Sequence, residues 1–272
     1  MYRLLATDID DTILAPDGSL PESNRRALTD LHHRGIAVVF SSGRATCSLR
    51  AVAQRIIDLA DDEYLISYNG ARVTSALSGH PLVETPLDRD TLADILEYTR
   101  ANKLLVHGYH EDAFLAEHSA PDHDRASETY ATDTGMEWSV TPNIVSALPQ
   151  GSPKLLIIHE HQALLRHREK LLEISAGRFD VMFSKPHYLE VVAHGVSKGA
   201  ALTRLSQHLG IPIEETVAVG DSLNDREMIL TAGVGLAVAN AREELKDIAD
   251  QVLRRSAADG AIAELAERYF SE

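Results

Sequence analysis

Asp8 and Asp10 stand two residues apart just past the apolar run 3–7. Extended backbone points residues at that spacing the same way. One such carboxylate can attack an electrophile while the other gives and takes a proton. Two further carboxylates, Asp221 and Asp225, lie in Gly220-Asp221-Ser222-Leu223-Asn224-Asp225, past the apolar run 216–219. Ser42-Gly43-Arg44 follows the run 36–40, Asn69-Gly70 halts the run 64–68, and Lys198 opens a helical stretch. Carboxylates drawn together repel one another, and a cation relieves the repulsion. Oxygen donors with no Cys or His among them favour Mg²⁺ over zinc. A metal that bridges a carboxylate nucleophile and a phosphate neutralises charge, as phosphoryl transfer demands. The Ser42 hydroxyl, the Gly43 amide and the Lys198 ammonium can hold the other phosphate oxygens, with helix N-termini helping.

The elements that must bring these residues together show in the hydrophobic periods. Runs 3–7, 36–40 and 64–68 read as buried strands. Helices start near Glu22, with Ala27, Leu28 and Leu31 as apolar marks, and after Gly43, with Leu49, Val52, Ala53, Ile56 and Ile57. Strands and helices in alternation, with continuous apolar strands, predict a parallel sheet covered by helices on both faces. Ligands bind such sheets outside the carboxyl ends of the strands, where the residues above fall. From about residue 86 the rhythm changes. Helices 88–102, 124–132 and 163–175 alternate with strands 104–109, 113–117, 154–159, 179–183 and 188–192, and 138–153 is loop-rich. Adjacent strands with short turns predict a separate α+β unit of antiparallel pairs. After residue 193 the first rhythm returns, with helices 198–209, 223–231, 241–249 and 261–269 and strands 216–219 and 234–238. The expected organisation is one α/β core made from residues 1–85 and 193–272, with an α+β cap inserted at 86–192.

Composition narrows the function. The 272 residues are 44% hydrophobic and 25% charged, an ordinary globular balance. Lys and Arg number 26 against 41 Asp and Glu, a formal net charge of −15. No basic run offsets it, which argues against a nucleic-acid partner. One cysteine, Cys47, excludes an internal disulfide and fits a reducing compartment; it reads as a small packing residue. The N-terminus lacks the apolar core of a signal peptide, and no apolar stretch approaches the roughly 18 residues of a membrane span. The expectation is a cytoplasmic protein with no membrane partner.

The motif Asp8-Ile9-Asp10-Asp11-Thr12 resembles the DxDxT signature of the haloacid dehalogenase superfamily. Ser42-Gly43-Arg44, Lys198 in Val196-Ser197-Lys198-Gly199, and Gly220 to Asp225 resemble its second, third and fourth motifs. The insertion point after the third core strand is similar to that of the subclass IIB cap of Cof-type phosphatases, and Asn69-Gly70-Ala71 and Asn240-Ala241 also look Cof-like. The resemblance implies a Rossmann-like core with an inserted α+β cap, and a Mg²⁺-dependent phosphatase acting on phosphate monoesters of small metabolites such as sugar phosphates or phosphorylated cofactors. It implies that Asp8 is the nucleophile that forms an aspartyl-phosphate. Asp10 would be general acid and then base. Asp8, the carbonyl of Asp10 and Asp221 would ligate Mg²⁺, and Asp225 would support the metal or Lys198 from behind. Ser42, Gly43, Lys198 and Asn224 would bind phosphate. Two positions vary from the family pattern: Asp11 stands where many relatives have Gly, and Ser42 where many have Thr. Asp11 is expected to face away from Asp8 and Asp10 and takes no role.

Other readings compete. As a calcium loop, Asp8 onward lacks the glycine at its sixth position, which is Ile13, and the glutamate at its twelfth, which is Ser19. Gly220-Asp221-Ser222-Leu223 spells the motif of GDSL esterases, with Ser222 as nucleophile, but no histidine follows it. A phospho-receiver would not require a second domain over its pocket, nor an acid/base such as Asp10. A phosphomutase of related fold would return phosphate to a sugar instead of to water. His107, His110, His118 and His123 match no compact zinc spacing and read as surface or substrate-lining residues. Lys185, His187 and Tyr188, in an expected hairpin turn, are candidates for substrate choice.

Overall fold

The computed structural model describes residues 1–110, 112–117 and 123–271. The chain starts with β1 (Leu4–Thr7), α1 (Glu22–His33), β2 (Ala37–Ser41), α2 (Thr46–Ala53), β3 (Tyr64–Ser67), β4 (Arg72–Ser75) and β5 (Pro81–Glu84). The middle holds α3 (Arg89–Ala101), β6 (Leu105–His110), β7 (Ala113–Glu117), α4 (His123–Thr134), β8 (Glu137–Val140), α5 (Ile144–Ala147), β9 (Leu155–Ile158), α6 (His161–Ser175), β10 (Phe179–Lys185) and β11 (Tyr188–Ala193). The last part holds α7 (Lys198–Leu209), β12 (Thr216–Gly220), α8 (Arg226–Thr231), β13 (Val234–Ala237), α9 (Glu243–Lys246), β14 (Gln251–Val252) and α10 (Ala261–Tyr269). Two compact units result. One takes Met1–Arg44, Leu49–Val83 and the chain from Ser197 on, and the other takes Ala45–Ser48 and Glu84–Val196.

In the first unit an eight-stranded sheet runs in the order β14-β13-β12-β1-β2-β3-β4-β5. It is parallel from β14 to β3, and β4 pairs antiparallel to β3. All four side chains of β1 are buried, as a strand covered on both faces requires. Leu4 lies opposite both Thr216 and Ala37, so β1 is flanked by the strands that carry the other motifs. The core joins Leu5, Val39, Leu65 and Val217 of the sheet to Leu28 of α1, Leu202 of α7 and Leu265 of α10. The carboxyl ends of β12, β1, β2 and β3 therefore stand side by side. β4, β5 and β14 have no counterpart in the sequence reading, because they are short and, unlike the equally short β1 and β3, lack a continuous apolar run. Pro81 opens the edge strand β5, a place that needs no amide for the ladder.

In the second unit a six-stranded sheet runs β10-β11-β9-β6-β7-β8. Val106, Leu155, Ile157, Leu189 and Val191 pack with Ile95 of α3 and Leu164 and Leu171 of α6 into its core. Its pairs are antiparallel except β7 with β8, which is parallel. The strands read from sequence all pair antiparallel, as expected, and the parallel pair comes from β8, which lies in the stretch read as loop-rich. The stretch read as loop holds β8 and the single turn α5, whose N-cap Asn143 accepts the Ser146 amide at 3.1 Å. A second buried layer lies around β6. His107 is fully buried, stacks on Phe114 and bonds Ser127, which corrects its reading as a surface or substrate-lining residue. His118 lies outside the described residues.

Candidate active site

Asp8 continues the β1 ladder, its amide bonding the Val219 carbonyl at 3.0 Å, and its side chain is buried. Lys198, the first residue of α7, is fully buried as well. Its helix is capped by Ser197, whose Oγ accepts the Ala200 amide at 3.0 Å. The Lys198 ammonium donates to Asp8 Oδ1 at 2.5 Å and to Asp225 Oδ1 at 2.6 Å. The other oxygen of Asp225 accepts the amides of Asp221 and Ser222, both at 3.1 Å. Both Asp225 oxygens are thus spent on protein donors. Gly220 makes this possible, since a Cβ there would stand 2.5 Å from the Asp225 carboxylate.

Asp8, Asp221 and Asp225 offer carboxylate oxygens within 4.8 Å of one another, and all three are buried. Thr12 and Ser222 donate to Asp221 at 3.3 and 2.7 Å. One ammonium against three carboxylates leaves excess negative charge away from water. Burial raises the Asp8 carboxyl well above its ordinary value, against the pull of Lys198 and with the repulsion of Asp225, Asp221 and Asp10. Burial and then Asp225 push Asp221 up to about 6. Burial would lower the Lys198 ammonium, but Asp225 and Asp8 hold it above the usual lysine value. All-oxygen donors with unrelieved negative charge fit a hard divalent cation such as Mg²⁺.

Asp10 is not a member of that cluster. Its half-exposed carboxylate is held side-on by Arg44, from Nε at 2.8 Å and from Nη2 at 2.6 Å. Sequence reasoning quoted Arg44 in a motif and gave it no part; its place right after Gly43 was the available signal. Between the two catalytic candidates and the next turn stands Asp11, with φ 59°, in the left-handed region that favours glycine. Asp is among the few residues with a side chain that this backbone tolerates. The Asp11 carbonyl accepts Asn240 Nδ2 at 2.8 Å, and Asn240 Oδ1 accepts the Ala257 amide at 2.8 Å. Asn240 therefore ties the loop after β1 to the chain before α10.

Ser42 is buried at the end of β2, and its Oγ accepts the Arg44 amide at 3.2 Å. Asn224 sits in the turn Leu223–Asp225 and donates from Nδ2 to Asn69 Oδ1 at 3.1 Å. The sequence shows Asn69 ending the run 64–68 and standing in a family-like string, and gives it no role. Ser222 belongs to a capping box with Asp225, so its hydroxyl serves the turn, unlike an esterase nucleophile. Burial pushes the Cys47 thiol up to about 11, which keeps it protonated and unreactive. Lys185 and Tyr188 flank the turn between β10 and β11, with the ammonium 5.8 Å from the ring centre. Among the described residues no helix is long and apolar enough to cross a membrane.

The family model for haloacid dehalogenase-like hydrolases matches residues 5–265. The HMP-PP phosphatase of Cronobacter sakazakii is 34% identical over 246 residues, covering 90% of this chain and 87% of that protein. The HMP-PP phosphatase of Escherichia coli K12 is 33% identical over 247 residues, with the same coverage of 90% and 87%. Among solved structures, a haloacid dehalogenase-like hydrolase from Bacteroides thetaiotaomicron superposes with a TM-score of 0.86 at 27% identity, over 98% of this chain and 99% of its own. A protein from Thermotoga maritima gives 0.86 at 29% identity, over 100% and 99%.

Proposed function

The chain belongs to the haloacid dehalogenase-like hydrolases, and from that premise we propose that it is a Mg²⁺-dependent phosphatase that frees inorganic phosphate from small phosphorylated metabolites through an aspartyl-phosphate on Asp8. The observation that carries this is the buried Asp8 carboxylate, held by Lys198 inside a carboxylate cluster whose charge is not balanced. In the first half-reaction an Asp8 oxygen forms a bond to phosphorus as the ester P–O bond breaks, and the leaving oxygen takes the proton of Asp10. In the second half-reaction Asp10 takes a proton from water, water oxygen bonds to phosphorus, and the bond to Asp8 breaks. Arg44 orients Asp10 for these transfers, its guanidinium fork reaching both carboxylate oxygens.

Asp8, the Asp10 carbonyl and Asp221 would hold Mg²⁺, which supplies neutralisation of phosphoryl charge when bound. Asp225 orients Lys198 and two amides and so supports the site from behind. Ser42, Gly43, Lys198 and Asn224 are assigned to the phosphate oxygens. Relatives 34% and 33% identical are named HMP-PP phosphatase, which supports a small phosphorylated metabolite and makes HMP-PP the first compound to try.

The test is phosphate release over a panel holding HMP-PP, sugar phosphates and phosphorylated cofactors, in chelator and in Mg²⁺. Expected is release from members of the panel in Mg²⁺ and none in chelator. Full activity in excess chelator overturns the metal assignment, and transfer of phosphate to a sugar instead of to water would make the enzyme a mutase.

A further inference from the structure

Three successive residues after β3, namely Tyr68, Asn69 and Gly70, have φ of 53°, 56° and 99°. Left-handed backbone is unfavourable for side chains with a Cβ, and it persists where the surroundings over-determine it. This turn is also buried, with Asn69 only 1% exposed. Its surroundings are the three loops assigned above to phosphate. The Asn69 amide donates to the Ser42 carbonyl at 3.1 Å, and the Tyr68 amide to the Arg44 carbonyl at 3.0 Å. A Cβ on Gly43 would stand 2.9 Å from Asn69 Oδ1, so the side chain lies directly against that peptide. The same oxygen accepts Asn224 Nδ2 at 3.1 Å. A Cβ on Gly70 would stand 2.2 Å from the Ser197 carbonyl, so the turn also packs on the peptide that leads into Lys198.

We propose that Asn69 is a positioning residue for the phosphate site: its side-chain carbonyl sets Asn224 against the Gly43 peptide at the spacing a phosphoryl group requires. The inference rests on the assignment of Ser42, Gly43 and Asn224 to phosphate. Side-chain chemistry explains the choice of residue. Glycine would accept the backbone but leave Asn224 without this acceptor. Aspartate would accept the backbone and keep the acceptor, but would add negative charge beside an anion. Alanine would strain the backbone and supply neither group. Asparagine meets all three demands.

The experiment measures inhibition by inorganic phosphate, KM and kcat for p-nitrophenyl phosphate, and melting temperature. It compares the parent with Asn69→Gly, Asn69→Asp, Asn224→Ala and the double variant Asn69→Gly/Asn224→Ala. Losing one hydrogen bond that orients a ligand group predicts about tenfold weaker phosphate inhibition in Asn69→Gly, a matching rise in KM and a smaller change in kcat. Asn69→Asp is expected to weaken phosphate further, and it reads the same position where Asn69→Gly does not fold. In the Asn224→Ala background, Asn69→Gly should add less than about twofold, because the two residues act as one pair. Unchanged phosphate inhibition in Asn69→Gly and Asn69→Asp, whatever happens to melting, overturns the inference, and so do effects that multiply in full. A parent that inorganic phosphate does not inhibit overturns the proposed phosphate site together with this inference. With an inhibited parent and unaffected variants, only the role of Asn69 falls.

Discussion

Lys198 and Lys154 are both buried, one in each unit, and they are buried on different terms. Lys154 in the second unit meets Glu190 at 3.0 Å, with its ammonium 5.0 Å from the centre of the Tyr109 ring. Burial would lower its ammonium, yet Glu190 holds it above the usual lysine value. Among the described residues this ammonium has a carboxylate and an aromatic face beside it. Lys198 in the first unit faces Asp8 and Asp225, with Asp221 beside them, and negative charge is left over. A buried lysine–glutamate contact serves as architecture, whereas three carboxylates crowded around one ammonium call for a cation or a ligand to complete them.

The largest effect that would sharpen this contrast comes from replacing each lysine in turn. Lys198→Met is expected to lower kcat by at least about 10²–10³, because the group that holds Asp8 and that is proposed to hold the transferring phosphate is gone. Lys154→Met takes a charged partner from the buried Glu190. It should lower stability by about 3–5 kcal/mol in denaturant melts, with kcat for p-nitrophenyl phosphate kept. Replacing both partners, Lys154→Met with Glu190→Leu, should restore part of that stability. If Lys154→Met abolished turnover in a protein that still folds, the contrast between the lysines would fail.

A smaller effect concerns pH. Burial and neighbouring charge raise the carboxyls of Asp221, to about 6, and of Asp8. A raised carboxyl binds its proton more tightly folded than unfolded. Its contribution to stability is therefore full below about pH 4 and is lost as pH rises through about 6. Mg²⁺ needs these groups charged and competes with the protons. The rise in melting temperature on adding Mg²⁺ should be small at about pH 5 and complete above about pH 7. The difference with and without metal is the useful readout, because carboxyls such as Asp88 and Glu264 are lowered and act in the opposite sense. A Mg²⁺ shift that does not change between those values would contradict the unbalanced cluster.

The site was more legible in sequence than its supports. Asp8, Ser42 and Asp221 each end an apolar run, and a parallel sheet gathers such ends without any knowledge of side-chain direction. Arg44 and Asn69 stood in the same strings, but their roles depend on where a side chain points and on a left-handed turn, which spacing alone does not give. The φ of Asp11 left a trace, an Asp where glycine is common, and its meaning is conformational. In the second unit Lys154 and Glu190 lie 36 residues apart and carry no periodic mark, so their pairing was invisible. His107 looked like one of a surface group and is buried between Phe114 and Tyr130, since both faces of β6 are covered. The elements that were missed, β4, β5, β8, β14 and α5, are short and hold at most two consecutive apolar residues, whereas the equally short β1 and β3 lie in apolar runs.

The most direct measurement is acid-quenched mass spectrometry during turnover, on the parent, Asp8→Asn and Asp10→Asn. One added phosphoryl group is expected on the peptide that holds Asp8. It should accumulate in Asp10→Asn with p-nitrophenyl phosphate, whose leaving group needs no proton, while turnover falls by about 10²–10⁴. No label and no turnover are expected in Asp8→Asn. A label on Ser42 or Ser222, or an Asp8→Asn variant as active as the parent, would contradict the aspartyl-phosphate on Asp8.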